Sequence, residues 1–246
     1  MIDLHSHLLP GIDDGAQSMA EALELAAHAV ACGTTHMVCT PHLHPGRYSN
    51  TATSIALSVR KFAAALAQAG IPLQVSAAAE ARFDSDLVTL AKRNELPFVG
   101  EWKGRQVLLL EFPHSEIPAQ ADKLTNWMLK NNIQPLIAHP ERNKGVMANY
   151  KRINPFLEQG CLLQVTAGSL AGQFGPTAKE LAEFLLLSNH IIILASDAHD
   201  MKNRPPNLLP GLEQAIRLIG EAAARKLVED NPWRMAHGHF PATSIT

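Results

Sequence analysis

Nine side chains able to bind a metal ion recur just past the ends of successive apolar runs, and they are drawn from most of the chain. They are His5, His7, Asp14, His42, Glu80, Glu111, His139, Asp197 and His199. Few folds gather donors so widely separated, so this pattern constrains the architecture more than any other feature. Side chains in a strand alternate faces, so His5 and His7 point the same way and can share an ion. Asp197 and His199 repeat that spacing. One zinc is satisfied by three or four ligands, so nine nitrogen and oxygen donors imply two or three ions with bridging carboxylates.

Apolar runs of strand length cover residues 2–4, 36–39, 73–77, 107–110, 134–138, 161–165 and 190–195. They are near-continuous rather than alternating, as expected for parallel strands covered on both faces. Helical patterns lie between them. Ser18 reads as an N-cap with Glu21 at the capping-box position, and Gly33 ends that helix. Further helices are expected over about 54–69, 84–92, 120–131, 149–158, 177–187 and 212–228. Strand followed by helix, repeated, specifies βα units with right-handed crossovers in an α/β fold. Donors follow six different strands, and a barrel brings that many carboxyl ends around one centre, so a barrel is favoured over an open sheet. The run Thr166–Gly172 supplies no strong ligand and is expected to position substrate or simply turn the chain.

The 246 residues, 46% hydrophobic, fit one domain (1–246) with a tail of about ten residues. Basic and acidic side chains number 21 and 23, which argues against a nucleic-acid partner. The N-terminus shows no leader, and no stretch reaches the roughly 18 apolar residues of a transmembrane segment. A cytoplasmic protein is expected, with a homo-oligomer left open. Cys32, Cys39 and Cys161 read as reduced, mostly buried thiols. The commonest thiolate phosphatase signature needs an arginine six positions after its cysteine, where this chain has Val38, Pro45 and Ala167. Any phosphate-ester cleavage would therefore use metal.

The segments Asp3–Gly15 (Asp-Leu-His-Ser-His-Leu-Leu-Pro-Gly-Ile-Asp-Asp-Gly), Thr40-Pro41-His42, Leu110-Glu111-Phe112-Pro113, Ile137–Asn143, Gly168–Gly172 and Ser196-Asp197-Ala198-His199 resemble the bacterial protein-tyrosine phosphatases of capsule and exopolysaccharide operons. That family belongs to the polymerase and histidinol phosphatase superfamily. The resemblance runs from Met1 to about Trp233, in order and spacing. It implies a distorted (β/α)7 TIM-like barrel with three divalent metal ions, usually manganese or iron and less often zinc. All nine donors above match the family's ligand positions. Arginines that hold phosphate beside the metals map to Arg142 and Arg204. The implied substrate and partner is the phosphotyrosine tail of a bacterial tyrosine kinase that governs polysaccharide synthesis. Ala77-Ala78-Ala79 and His114 depart from the usual pattern.

Bound metals would lower the pKa of water from 15.7 to about 7 and neutralise charge on the phosphoryl group. Glu111 is the candidate bridging carboxylate, and Arg142 and Arg204 offer planar forks to the non-bridging oxygens. A phenolate leaving group of pKa about 10 needs little general acid, and His199 or a metal-bound water is the candidate. Arg82 reaches phosphate or serves structure; Arg47, in the loop after His42, meets an acidic phosphopeptide or solvent. His44 and His114 lie in loops on the same side. His28, His36 and His190 read as structural, and His237 and His239 as part of the tail. Asp13 competes with Asp14 as ligand or holds the loop, Asp3 orients a histidine or bonds a strand end, and Glu141 reads as a solvated or structural ion pair. Alternatives to the tyrosine phosphatase are a small-molecule phosphomonoesterase of the histidinol phosphate type and a metal-bound regulatory binding module.

Overall fold

All seven expected strands form, and three short ones are added. In the computed structural model, which describes residues 1–240, the strands are β1 (Ile2–Ser6), β2 (His36–Cys39), β3 (His42–Leu43), β4 (Gln74–Ala77), β5 (Glu80–Arg82), β6 (Gly100–Trp102), β7 (Arg105–Glu111), β8 (Ile133–Ala138), β9 (Leu162–Thr166) and β10 (Ile191–Ala195). Hydrogen bonding divides them into β1-β2-β4 and β10-β9-β8-β7-β5-β3, all parallel, with β6 antiparallel on β7. The division comes from two interruptions in step. Thr40-Pro41 separates β2 from β3, and Ala78-Ala79 separates β4 from β5, so each pair is one stave broken at the same height. Pro41 has no N–H to give to a ladder, which favours the break where it falls. Register survives it: Cys39 pairs with Ala77, and His42 with Glu80.

The ring of seven staves is drawn together at its carboxyl end. Asp197 N–H donates to His5 O at 2.9 Å and His7 N–H to Ala198 O at 2.8 Å, around a parallel bridge between Ser6 and Ala198. The result is a distorted α/β barrel.

Side-chain alternation explains the unbroken apolar strands. On β7, Val107 and Leu109 join Leu4, Val38, Leu136 and Ile193 inside the barrel, while Leu108 and Leu110 face the helices. β1 departs from strict alternation. Its pairing with β2 shifts by one residue between Asp3 and Ser6. Such a bulge re-aims side chains, and here it lets both Leu4 and His5 serve the interior.

Beneath the apolar layer the amino end is closed by Met235, Ala236 and Phe240. Gly100, at φ +144°, allows this, since a Cβ there would stand 1.9 Å from Met235 O. Phe240 packs edge-on against His36 (4.8 Å, 76°) and stacks with Trp233. The expected ten-residue tail is thus corrected in part: His237–His239 form a 3-10 turn and Phe240 is buried, while residues 241–246 lie outside the described residues.

Helix expectations hold with local changes. Ser18 caps Met19–Ala31 by accepting from Glu21 N–H, but Glu21 turns to Gln17 N–H instead of closing the capping box on Ser18. The stretch expected over 212–228 is two helices, Leu209–Ile219 and Glu221–Lys226, because Gly220 takes φ +81°. That over 149–158 is a 3-10 turn, Tyr150–Ile153, leading into Asn154–Gln159, where Pro155 occupies the first turn and needs no N–H partner. Among the described residues, no helix is long and apolar enough to cross a membrane.

Candidate metal centre

Every donor sits toward the carboxyl end of a stave or in the loop that follows. His5 lies in β1, His42 and Glu80 open β3 and β5, Glu111 ends β7, and His139 follows β8. Asp197 and His199 follow β10, and Asp14 comes from the loop after β1. His139 and Asp197 have φ of +31° and +52°. Non-glycine residues there cost about 1–3 kcal/mol each and persist only where surroundings dictate them. Their strain falls where side chains must turn inward.

Glu80 is the most connected carboxylate. Its Oε1 lies 2.9 Å from His139 Nε2 and 3.3 Å from His5 Nε2; its Oε2 lies 2.8 Å from His42 Nδ1 and 3.4 Å from His7 Nε2. Asp197 Oδ1 is 3.2 Å from His5 Nε2, 3.4 Å from His7 Nε2 and 3.5 Å from His199 Nδ1. Asp14 Oδ1 is 3.2 Å from His42 Nε2 and 3.6 Å from His199 Nε2. Glu111 joins His42 and Glu80 in one group of mutually close donors. The nine form four overlapping groups: His7, Asp14, His42, His199; His5, His7, Glu80; His5, His139, Asp197; and His42, Glu80, Glu111.

These contacts fit divalent cations better than a self-contained polar network. His42 Nδ1 and Glu80 Oε2 lie 2.8 Å apart yet make no hydrogen bond, and both are buried with no such partner; His199 Nε2 is in the same condition. Buried polar atoms rarely go unsatisfied. His5 Nε2 and His7 Nε2 approach to 3.2 Å. Their other nitrogens are engaged: His5 Nδ1 with Gln164 Oε1 at 2.9 Å and His7 Nδ1 with Asp13 Oδ2 at 2.7 Å. With acceptors fixing the proton on Nδ1, both lone pairs on Nε2 face the same space, as metal-bound histidines require. The donors are imidazoles and carboxylates only, which suits manganese, iron or zinc.

Electrostatics agree. Burial alone would raise the Glu80 carboxyl, but His5, His139 and His42 hold it well below the usual carboxylate range. Burial is likewise overcome at Asp197, chiefly by His5 and Arg142. The neighbouring His199 and His42 rings hold the Asp14 carboxyl low, against the opposing effect of burial. His42 is lowered by burial but carried up to about 9 by Asp14 and Glu80, whereas burial and the neighbouring His7 push His199 down to about 4.

Arg142 and Arg204 both donate to Asp197 Oδ2, the latter at 3.1 Å. Arg142 Cζ also lies 4.3 Å over the Phe174 ring, a cation–π contact. Arg82 donates to Glu111 Oε2 at 2.8 Å. Arg47 stands apart: it is exposed and rests 5.1 Å over Tyr48, which also stacks on His42 at 5.5 Å and 10°. His44 meets the edge of Tyr48. A cleft of about 430 Å³ opens beside Asp14 and His199, walled by Gln17, Glu24, Met201 and Lys202.

Several supporting residues differ from expectation. Glu141 is not solvated: it is fully buried, accepting from Thr166 N–H at 3.1 Å and Ser169 Oγ at 2.6 Å. The Thr166–Gly172 run therefore anchors the loop that carries Arg142, partly through a short helix, Ala167–Leu170. Asp3 accepts from backbone N–H groups of His5 and Ser196 and touches no imidazole ring. Tyr48 was expected at the rim in the loop after His42, where it lies, whereas Gln164 and Phe174 escaped sequence reasoning. Only Gln164 left a signal, as a lone amide inside an apolar strand.

The family model described as "Capsular polysaccharide synthesis, CpsB/CapC" matches residues 1–237. The chain belongs to the CpsB/CapC family. Among its relatives, tyrosine-protein phosphatase YwqE of Bacillus subtilis is 36% identical over 205 residues, covering 83% of this chain and 79% of that protein. Tyrosine-protein phosphatase CpsB of Streptococcus pneumoniae is 28% identical, covering 94% and 96%. A solved structure from work on YwqE and CpsB, described as unique metal-dependent tyrosine phosphatases, superposes with TM-score 0.88 at 31% identity, covering 95% of this chain and 93% of that one. Histidinol phosphate phosphatase of Lactococcus lactis, solved with zinc, L-histidinol and phosphate, shares the fold at TM-score 0.53 and 12% identity.

Proposed function

We propose that this CpsB/CapC member is a metal-dependent protein-tyrosine phosphatase, and that residues 1–240 act as one domain. The observation that carries the reading is the convergence of all nine donors, with Arg142, Arg204 and Arg82 beside them, at one end of the barrel. The name and 36% identity of YwqE support the reaction class. The substrate class we infer is the phosphotyrosine tail of a tyrosine kinase controlling capsule or exopolysaccharide synthesis, in the cytoplasm.

The residues would hold three divalent ions, manganese or iron in preference to zinc. Bound there, they would supply Lewis acidity and hydroxide at neutral pH. Glu80 would offer both carboxylate oxygens to the ions, because they face different pairs of histidines, whereas Glu111 Oε2 also accepts from Arg82. Arg142 and Arg204 each use one nitrogen on Asp197, which leaves further N–H groups of each fork for phosphoryl oxygens. Asp197 thus holds both forks in place before substrate arrives. His199 suits ligation better than proton donation: its Nδ1 faces Asp197 O at 2.8 Å and the ring is neutral near pH 7. Departure of a phenolate tolerates that lack of an acid.

The test is turnover of a phosphotyrosine peptide and of histidinol phosphate after chelation and add-back of each ion. Peptide activity lost on chelation and restored by manganese or iron is expected. Indifference to chelators would refute the metal mechanism, and a large preference for histidinol phosphate would reject the protein substrate.

A further inference from the structure

Asp13 presents a buried carboxylate that touches three parts of the centre without facing it. Its side chain is fully buried, whereas that of neighbouring Asp14 is 42% exposed. Oδ2 accepts from His7 Nδ1 at 2.7 Å and from His42 N–H at 3.1 Å; Oδ1 accepts from Gly15 N–H at 3.0 Å. The ring of His7 thus lies between Asp13 and the shared donor space, so Asp13 sits behind the ligands. His42 opens β3 and Asp14 lies in the loop after β1, and the two have no strand ladder in common. A second clamp ties the same loops: Asn50 Nδ2 donates to Ile12 O at 3.0 Å and to His42 O at 2.9 Å. Gly15 lets the Asp14 loop lie against β1, since a Cβ there would stand 1.8 Å from His7 O.

We propose that Asp13 is a positioning residue that assembles one metal subsite, the group His7, Asp14, His42 and His199. The inference rests on the metal-centre reading above. It fixes the His7 proton on Nδ1, so that Nε2 offers a lone pair, and it sets the start of β3 and the turn after Asp14 relative to that ring. Its three partners are all N–H donors. A carboxylate accepts from all of them, but an amide has one acceptor oxygen and must turn an N–H toward a donor in either orientation. Asp13→Asn is therefore nearly isosteric and still breaks the arrangement. Asp3 supplies a matched control, a buried carboxylate in the same barrel that accepts from backbone N–H groups and pairs with no imidazole.

The experiment is equilibrium dialysis of the whole protein against Mn²⁺ with elemental analysis, comparing wild type, D13N and D3N. The expected result is that D13N retains one ion fewer than wild type at low Mn²⁺, with binding of that ion weakened roughly 10–100-fold, while D3N keeps wild-type stoichiometry. Wild-type stoichiometry and affinity in D13N would overturn the proposal, as would equal losses in D13N and D3N. Should D13N fail to fold, imidazole nitrogen NMR of zinc-loaded wild type decides: a proton on His7 Nδ1 supports the assignment, and one on Nε2 overturns it. Absence of any metal binding by wild type would overturn this inference together with the metal-centre reading, whereas an intact three-ion wild type and an unaffected D13N would overturn this inference alone.

Discussion

The two ends of the barrel are formed by the same staves, yet they are built by opposite rules. At the amino end Met235, Ala236 and Phe240 plug the interior with apolar surface, and Gly100 admits the plug by having no side chain. At the carboxyl end imidazoles and carboxylates crowd together, two backbones are strained, and polar atoms go unsatisfied. One end is saturated by its own contacts; the other is arranged for something the chain does not itself supply. The contrast teaches that stability and chemistry have been separated along the barrel axis, with the Leu4, Leu109 and Leu136 layer between them.

Removing Glu80 should break the contrast most severely. Glu80→Ala is expected to lower phosphotyrosine turnover at least about 10³-fold, the scale of losing a major electrostatic element, and to lower metal content, both read on purified protein. Unchanged metal content would show that Glu80 is not central. Next comes Arg142→Lys, which keeps charge but loses the fork and its seat on Phe174; a fall of about 10²-fold in kcat/KM with metal content intact is expected. The opposite end gives the complementary result. Phe240→Ala should cost about 3 kcal/mol of unfolding free energy in denaturant titration while turnover per folded molecule stays near wild type.

pH separates the ends more gently. His42, raised to about 9 by Asp14 and Glu80, is protonated in metal-free protein at neutral pH. Its contribution to metal-free stability is complete below the unfolded value near 6.5 and is lost as pH rises through about 9. Metal binding runs the other way, because the proton must leave first, so affinity should rise with pH over the same window. Thermal melts with and without Mn²⁺ between pH 6 and 9 would check both slopes; parallel slopes would contradict the assignment. The smallest effect is expected at Arg47→Ala. A few-fold rise in KM for phosphopeptide with no change for a small aryl phosphate would place Arg47 at the rim only.

The fold was legible where periodicity carries it. Unbroken apolar runs announced the seven staves because both faces are covered, as Val107 to Leu110 illustrate. Pro41 and Gly220 were visible signals of interruption that pattern reading passed over, since neither disturbs hydrophobic periodicity. The bulge in β1 left no mark, because it is a matter of pairing with β2 rather than of composition. At the site, the nine candidate donors that the structure brings together could be picked out by residue type and position, but their surroundings could not. Glu80 and Glu111 look alike in sequence, and only their neighbours distinguish a carboxylate among four imidazoles from one paired with an arginine. Gln164 meets His5 across 159 positions, a relation that local patterns do not contain.

The matched breaks at Thr40-Pro41 and Ala78-Ala79 carry a consequence for how this protein can change. Because both staves pause for the same two residues, His42 and Glu80 arrive side by side as a yoked pair. Lengthening either pause by one residue would slide one partner past the other and uncouple donors that otherwise overlap in reach. A viable insertion must therefore be answered by its twin some forty positions away, which makes this pair of hinges, rather than any single ligand, the least editable stretch of the barrel.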